Sequence, residues 1–469
     1  MSPDAPPSPP SRGTRRSVAL VAFFLFAGAA AFVFHRQWLQ AERFVGNFDR
    51  LNGGSLPVRI FETRSLQADG RIPLWSDNAF MGFNPLAHGG IHGGWSPLTW
   101  LYAQVPEHWF LPLGSLIAAA LLMLAMLGAF AALRRLDFAF LPSFAGAICY
   151  GCSTLLTVRL AQGEGFSYNL IVLPWLFFVI AGATERKPMV TMLLLGSGLF
   201  LLFNYSFLQE TAYLWAGVAL FALIESWTRR NPRPLAYLII ATVCAGIAAV
   251  PRIWQVQHEL SLLQRTPHGL VNESTSFEVT YAQQNLTSRE IARFFSDEIF
   301  GRFPAEAADL GNNINLNEGF QVYSSTFASM VILTALTLIF LQRDHADPSQ
   351  ALLRRRRLRY AAVMTVGVSV AVLTKPGLHL LYLLFLGIDF SHGRLVLAAL
   401  FPLAILLAFG LEYCLSPVDR RGPVQIFFAT LAVALAVGTV GSLNALKNRS
   451  YDPKKLEVNF SLPAQIVTL

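Results

Sequence analysis

The sequence predicts an all-α polytopic membrane protein with about eleven transmembrane helices and a long first extracytoplasmic loop. Three observations carry that prediction. Of 469 residues, 54% are hydrophobic and only 14% charged, and the mean hydropathy is +0.47. A soluble chain of this size could not keep so much apolar surface from water, whereas runs of about 20 apolar residues match a hydrocarbon core about 30 Å thick. Finally, the basic residues gather in short segments that fall in alternate loops, as the positive-inside rule requires.

The elements follow in chain order. Residues 1–17, MSPDAPPSPPSRGTRRS, are rich in Pro and Ser and read as a disordered cytoplasmic N-terminus. The run 18–34 is long for a signal-peptide core and lacks a cleavage site, so it reads as a retained signal anchor. A transmembrane domain then extends to residue 445, its further spans near 109–133, 138–160, 166–183, 189–206, 208–227, 235–254, 322–341, 359–375, 394–415 and 424–445. With the N-terminus inside, Arg134–Arg135, Arg186–Lys187, Arg229–Arg230 with Arg233, Arg354 to Arg357 with Arg359, and Arg420–Arg421 all fall in the cytoplasm. Loops 35–108 and 255–321, the turns near 162–165 and 204–209, and the tail 446–469 fall on the other side. WSPLTWLYAQVP (95–106) is too short to span and reads as interfacial, while 376–393 reads as re-entrant or as a weakly marked span.

Composition also excludes several functions. The net charge of +8 is spent on topology, which argues against nucleic-acid binding. Cys149, Cys152, Cys244 and Cys414 all lie in apolar runs; Cys149-x-x-Cys152 has no second pair and no nearby histidine, so it reads as small buried residues. No internal repeat is visible, and the ionisable residues of the spans sit near their ends: Arg159 and Arg252 outside, Glu225 inside. A transporter or proton relay more often carries such groups at the midplane, in two related halves.

The first loop holds the densest set of chemically capable residues: Asp49, Glu62, Asp69, Asp77, His88 and His92 among turn-forming Gly and Pro. Its motifs read Asp49 in GNFDRLNGG, then Gly70-Arg-Ile-Pro-Leu-Trp75, Phe80-Met-Gly-Phe-Asn-Pro85 and Ser96-Pro-Leu98. Further on come GIAAVPRIWQVQHELSLLQR (246–265), SREIARFFSDEIFGRFP (288–304), NEGFQVYSSTFASMVILTAL and FSHGRLVLAALFPLAILLAFGLEYCL (390–415). In order and spacing this series resembles the YfhO family of bacterial membrane proteins, over nearly the whole chain. Those proteins resemble GT-C glycosyltransferases that use polyprenyl-phosphate sugars. After the loop acid this chain reads Arg50-Leu51-Asn52, where relatives have a Gln-containing stretch.

The resemblance implies a GT-C-like enzyme of the bacterial inner membrane. It would move a sugar from a polyprenyl-phosphate donor to an extracytoplasmic cell-envelope acceptor. A lipid or lipid-linked-sugar transporter, or a non-catalytic envelope-assembly protein, is the alternative. Such transfer needs a carboxylate within hydrogen-bond reach of the acceptor hydroxyl, and cations for the departing phosphate. Asp49, amid Gly46, Gly53 and Gly54, is the first candidate base and Asp77 the second. An interfacial helix cap and an Asx-turn are their structural alternatives. Arg252 and Arg394 are the candidate phosphate ligands, with Lys375 and Arg159 behind them; snorkelling explains the first two equally well and the other two better. His88 and His92 have i, i+4 spacing that on a helix could share a metal, but Gly89 and Gly90 between them disfavour a helix, and polar contacts to sugar or phosphate are the other reading. Glu164 and Glu210, at short outer turns, complete the expected lining. No metal ligand set is assigned, a divalent ion being the one cofactor left open. The expected partners are membrane lipid, the lipid-linked sugar and the acceptor.

Overall fold

A computed structural model of the chain describes residues 21–30, 55–71, 96–162, 164–206, 208–262, 332, 335–336, 348–374, 376–377, 379–380 and 392–415. Among these residues the regular secondary structure is all helical, with no strand. The helices are α1 (Val21–Ala30), α2 (Ser55–Asp69), α3 (Pro97–Tyr102), α4 (Phe110–Arg135), α5 (Phe140–Gly151), α6 (Thr154–Gln162), α7 (Glu164–Ala181), α8 (Pro188–Tyr205), α9 (Leu208–Thr228), α10 (Arg233–Leu262), α11 (Pro348–Leu373) and α12 (Leu400–Leu415). A 3-10 segment, His392–Ala399, leads into α12.

Among the described residues four stretches are long and apolar enough to cross a membrane: Glu107–Arg135, Pro188–Tyr205, Arg233–Gln257 and Leu395–Leu415. They correspond to expected spans near 109–133, 189–206, 235–254 and 394–415. The expected span 322–341 falls almost wholly, and 424–445 entirely, outside the described residues. One difference is local. The run 138–160 is two helices, because Ser153 interrupts it: Ser153 Oγ donates to the carbonyl of Tyr150 at 2.8 Å and accepts from the amide of Leu156 at 3.4 Å. A hydroxyl placed there ends one helix and caps the next. The first loop is not all irregular either, since its polar segment 55–69 forms α2.

Packing is organised around α7, which lies against α4, α8 and α9. From α9 the contacts continue to α11, α12, α5 and back to α4, while α10 packs on the outside against α8 and α9. An aromatic cluster fills the middle. Phe177 of α7 lies 4.7 Å from both Phe221 of α9 and Phe401 of α12, ring centre to ring centre. Phe221 in turn meets Tyr360 of α11 at 5.4 Å. Two of the buried phenols find carbonyl acceptors here: Tyr360 Oη donates to Gly217 O at 3.0 Å, and Tyr150 Oη to Leu170 O. A buried hydroxyl without such a partner would be costly.

Side chains of α8 and α10 face the other way. Leu193 is 66% and Ile247 67% exposed, amid Leu194, Ile239, Val243 and Val250. So broad an apolar face fits lipid rather than water.

The charges collect at helix ends. One end holds the basic clusters: Arg357 and Arg229 converge on buried Glu225, with Arg357 Nη2 at 3.1 Å and Arg229 Nε at 2.9 Å from Oε2. Arg135 pairs with Glu185, and Arg354 with Glu412. The other end holds a second polar cluster.

Candidate functional site at the Arg159 end

Two helix starts and one helix exit build this site. Glu210 lies in the first turn of α9, Arg159 in the last turn of α6, and Asn169 two turns into α7. All three are fully buried. Arg159 Nη2 donates to Glu210 Oε1 at 2.8 Å, and Asn169 Nδ2 donates to Glu210 Oε2 at 3.3 Å. Thr211 Oγ1 donates to Asn169 Oδ1 at 3.0 Å. Each carboxylate oxygen thus has a donor, and the amide that supplies one of them is itself fixed by a hydroxyl. Buried charges persist when opposed and hydrogen-bonded in this way.

Arg252 closes the neighbouring edge. It is 3% exposed, and its Nη2 donates to the carbonyl of Ser206 at 2.8 Å, with Nη1 on the carbonyl of Phe203. These carbonyls belong to the exit of α8, where the last turn leaves oxygens without intrahelical partners. A planar guanidinium answers two of them at once from two nitrogens in a fixed fork, a geometry that the single nitrogen of an ammonium does not offer. The α8–α9 turn at 204–209 is therefore tied down from α10.

The first-loop segment reaches the same end. Ser96, the residue that caps α3, makes a hydroxyl–hydroxyl hydrogen bond of 3.0 Å with Tyr168 of α7. Tyr168 neighbours Asn169 in sequence, and its ring lies 6.3 Å from that of Tyr205 at the exit of α8. A run of polar groups therefore extends from α3 through Tyr168 to Tyr205 beside the Arg252-bound turn.

A third group lies farther out on the loop. Glu62 of α2 is fully buried beside Thr99 of α3, whose hydroxyl donates to Glu62 Oε2 at 3.5 Å. Burial pushes the Glu62 carboxyl up to about 7, against the opposing pull of the Arg59 charge and the Thr99 hydroxyl.

The structure brings together Arg159, Glu210 and Arg252 of the expected residues. Asp49, Asp77, His88, His92 and Lys375 lie outside the described residues. For Glu164 and Arg394 the backbone alone is described: Glu164 opens α7, and Arg394 lies in the 3-10 segment before α12. Sequence reading did not single out Asn169, Thr211, Tyr168 or Arg59. The available signal was Ser167-Tyr168-Asn169 at the head of an otherwise apolar helix, where polar side chains need a purpose. Among the described residues no three His, Cys, Asp or Glu side chains come together as a metal would require. Compared with protein families and with curated proteins, the chain has no match: no family model fits it and no curated protein is similar.

Proposed function

We propose that the protein is a GT-C-like membrane glycosyltransferase with about eleven spans, related to the YfhO family. It would transfer a sugar from a polyprenyl-phosphate donor to a cell-envelope acceptor on the extracytoplasmic side of the bacterial inner membrane. The observation that carries this reading is the distribution of charge. The middle turns of the long apolar helices are uncharged, and a polar cluster with first-loop residues stands at one end. A reaction on a lipid-linked substrate needs such groups at interface depth. A transporter needs them along a path across the midplane.

In this reading the acceptor hydroxyl attacks the anomeric carbon, the bond from that carbon to the phosphate oxygen breaks, and lipid phosphate leaves with the electron pair. Asp49 takes the hydroxyl proton, with Asp77 as second candidate. Arg394 and Lys375 face the departing phosphate. Arg159, its charge met by Glu210, and Arg252, bound to two carbonyls, act by holding the α6–α7 and α8–α9 turns in place. His88, His92 and Glu164 contact the sugar. No step is routed through a metal.

The test is reconstitution of the purified protein in liposomes with a panel of polyprenyl-phosphate sugars, following both sugar transfer and movement of intact donor between leaflets. Transfer supports the enzyme. Movement without transfer supports the transporter and removes the proposal.

A further inference from the structure

Helix α2 is fastened to the segment around α3 by two kinds of tie. On the exposed side Arg64 pairs with Glu107, Nε to Oε2 at 3.1 Å, and Gln67 Nε2 donates to the carbonyls of Ala103 at 3.1 Å and Val105 at 3.2 Å. On the enclosed side Glu62, Thr63 and Thr99 are all fully buried. Arg59 Nη1 donates to Thr99 Oγ1 and stands 3.9 Å from Glu62 Oε2. Glu62 Oε1 and Thr63 Oγ1 meet no hydrogen-bond partner among the described residues.

An ionised carboxylate enclosed with one oxygen unsolvated is costly, and a guanidinium at that distance repays only part of the cost. The neutral acid carries no such penalty. Among the described residues the other charged or titratable groups near Glu62 are a phenol and one ion pair. Tyr102 of α3 has its ring centre 5.7 Å from the Arg59 guanidinium carbon, and the exposed Arg64–Glu107 pair lies at the rim. The adjoining small core is apolar: Phe110 and Ile117 of α4, with Leu113, Leu121, Leu98 and Ile60 around them.

We propose that Glu62 is a proton-operated latch: its neutral acid keeps α2 seated on α3, and loss of that proton loosens the contact. Ser96 caps α3 and meets Tyr168 at the Arg159 end, so the latch governs how firmly α2 is held on the segment that reaches that end. The step is a proton equilibrium with solvent and needs no co-reactant. It holds whatever reaction the site performs.

The experiment is amide hydrogen exchange on the full chain in lipid nanodiscs at roughly pH 5.5 and roughly pH 8.5, corrected for intrinsic exchange. Wild type should lose about tenfold protection or more over residues 55–69 at the higher pH, with α9 and α10 unchanged. Glu62→Gln should stay protected at both values. Equal protection of the wild type at both pH values overturns the proposal, as does an undiminished pH response in Glu62→Gln. Glu107→Gln, which removes only the exposed tie, should keep the pH response at lower overall protection. Loss of that response overturns the proposal too, even where Glu62→Gln fails to accumulate.

Discussion

Arg159 and Glu210 stand 51 residues apart in sequence, yet their charges meet at 2.8 Å with both side chains sealed from solvent. The pair joins the end of α6 to the start of α9, with α7 contributing Asn169 between them. Three helices are therefore joined at one carboxylate.

Glu210→Gln should lower stability by about 3–5 kcal/mol, because it removes a carboxylate that opposes the buried Arg159 guanidinium at 2.8 Å. Arg159→Met combined with Glu210→Met should recover much of that loss, since neither charge then needs compensation. Thermal unfolding of the purified variants in one detergent measures both. Equal stability of single and double variants would show the pair to be incidental.

Arg252→Lys keeps the charge but loses the fork that serves Phe203 and Ser206. A loss of about 1–2 kcal/mol is expected, with amide exchange rising at the α8–α9 turn. Were Arg252 only a snorkelling cation, lysine would serve as well and exchange would not change.

Gly128 tests the packing of α4 on α7. A Cβ there would lie 2.6 Å from Trp175 Nε1, which now donates to the carbonyl of Leu124 at 3.1 Å. Gly128→Ala must displace the indole, at a cost of about 1–3 kcal/mol. Gly196→Ala in α8 meets nothing within 4 Å and should be neutral or mildly stabilising, as expected for alanine in a helix. The difference between the two melting temperatures is the readout.

Glu62 predicts the sign of a pH dependence. Its carboxyl is raised in the fold to about 7 from 4.5. Between those values the folded chain holds a proton that the unfolded chain has lost, so stability falls as pH rises through this window. Below about 4.5 both states are protonated and the difference vanishes; above about 7 the penalty, about 3 kcal/mol, is present in full. Glu62→Gln should therefore match wild type near the acid end and exceed it increasingly toward alkaline pH. Melting curves of the two across that range decide the matter.

Much of the helical frame was legible because apolar length is a local property. Phe110–Arg135, Pro188–Tyr205 and Leu208–Thr228 each end within two residues of an apolar run bounded by arginine, proline or a polar turn, whereas Arg233–Leu262 continues beyond the expected end at residue 254. The break at Ser153 was not legible, since one hydroxyl barely alters the hydropathy of a window that includes Ile148 and Leu155. Arg159 and Glu210 were recognisable as candidates by position, but their pairing was not, because it joins segments 51 residues apart. Glu62 was visible only as one acid among several in a polar loop. Its burial depends on α2 meeting α3, a contact that no periodicity encodes.

The central claim is sugar transfer driven by a first-loop acid. Its most direct measurement is the rate of transfer from polyprenyl-phosphate sugars by reconstituted wild type and Asp49→Asn, matched for amount and melting temperature. Transfer by the wild type is expected, with a rate at least about 100-fold lower in the variant. Equal rates in the two proteins, or no transfer from any donor, would contradict it.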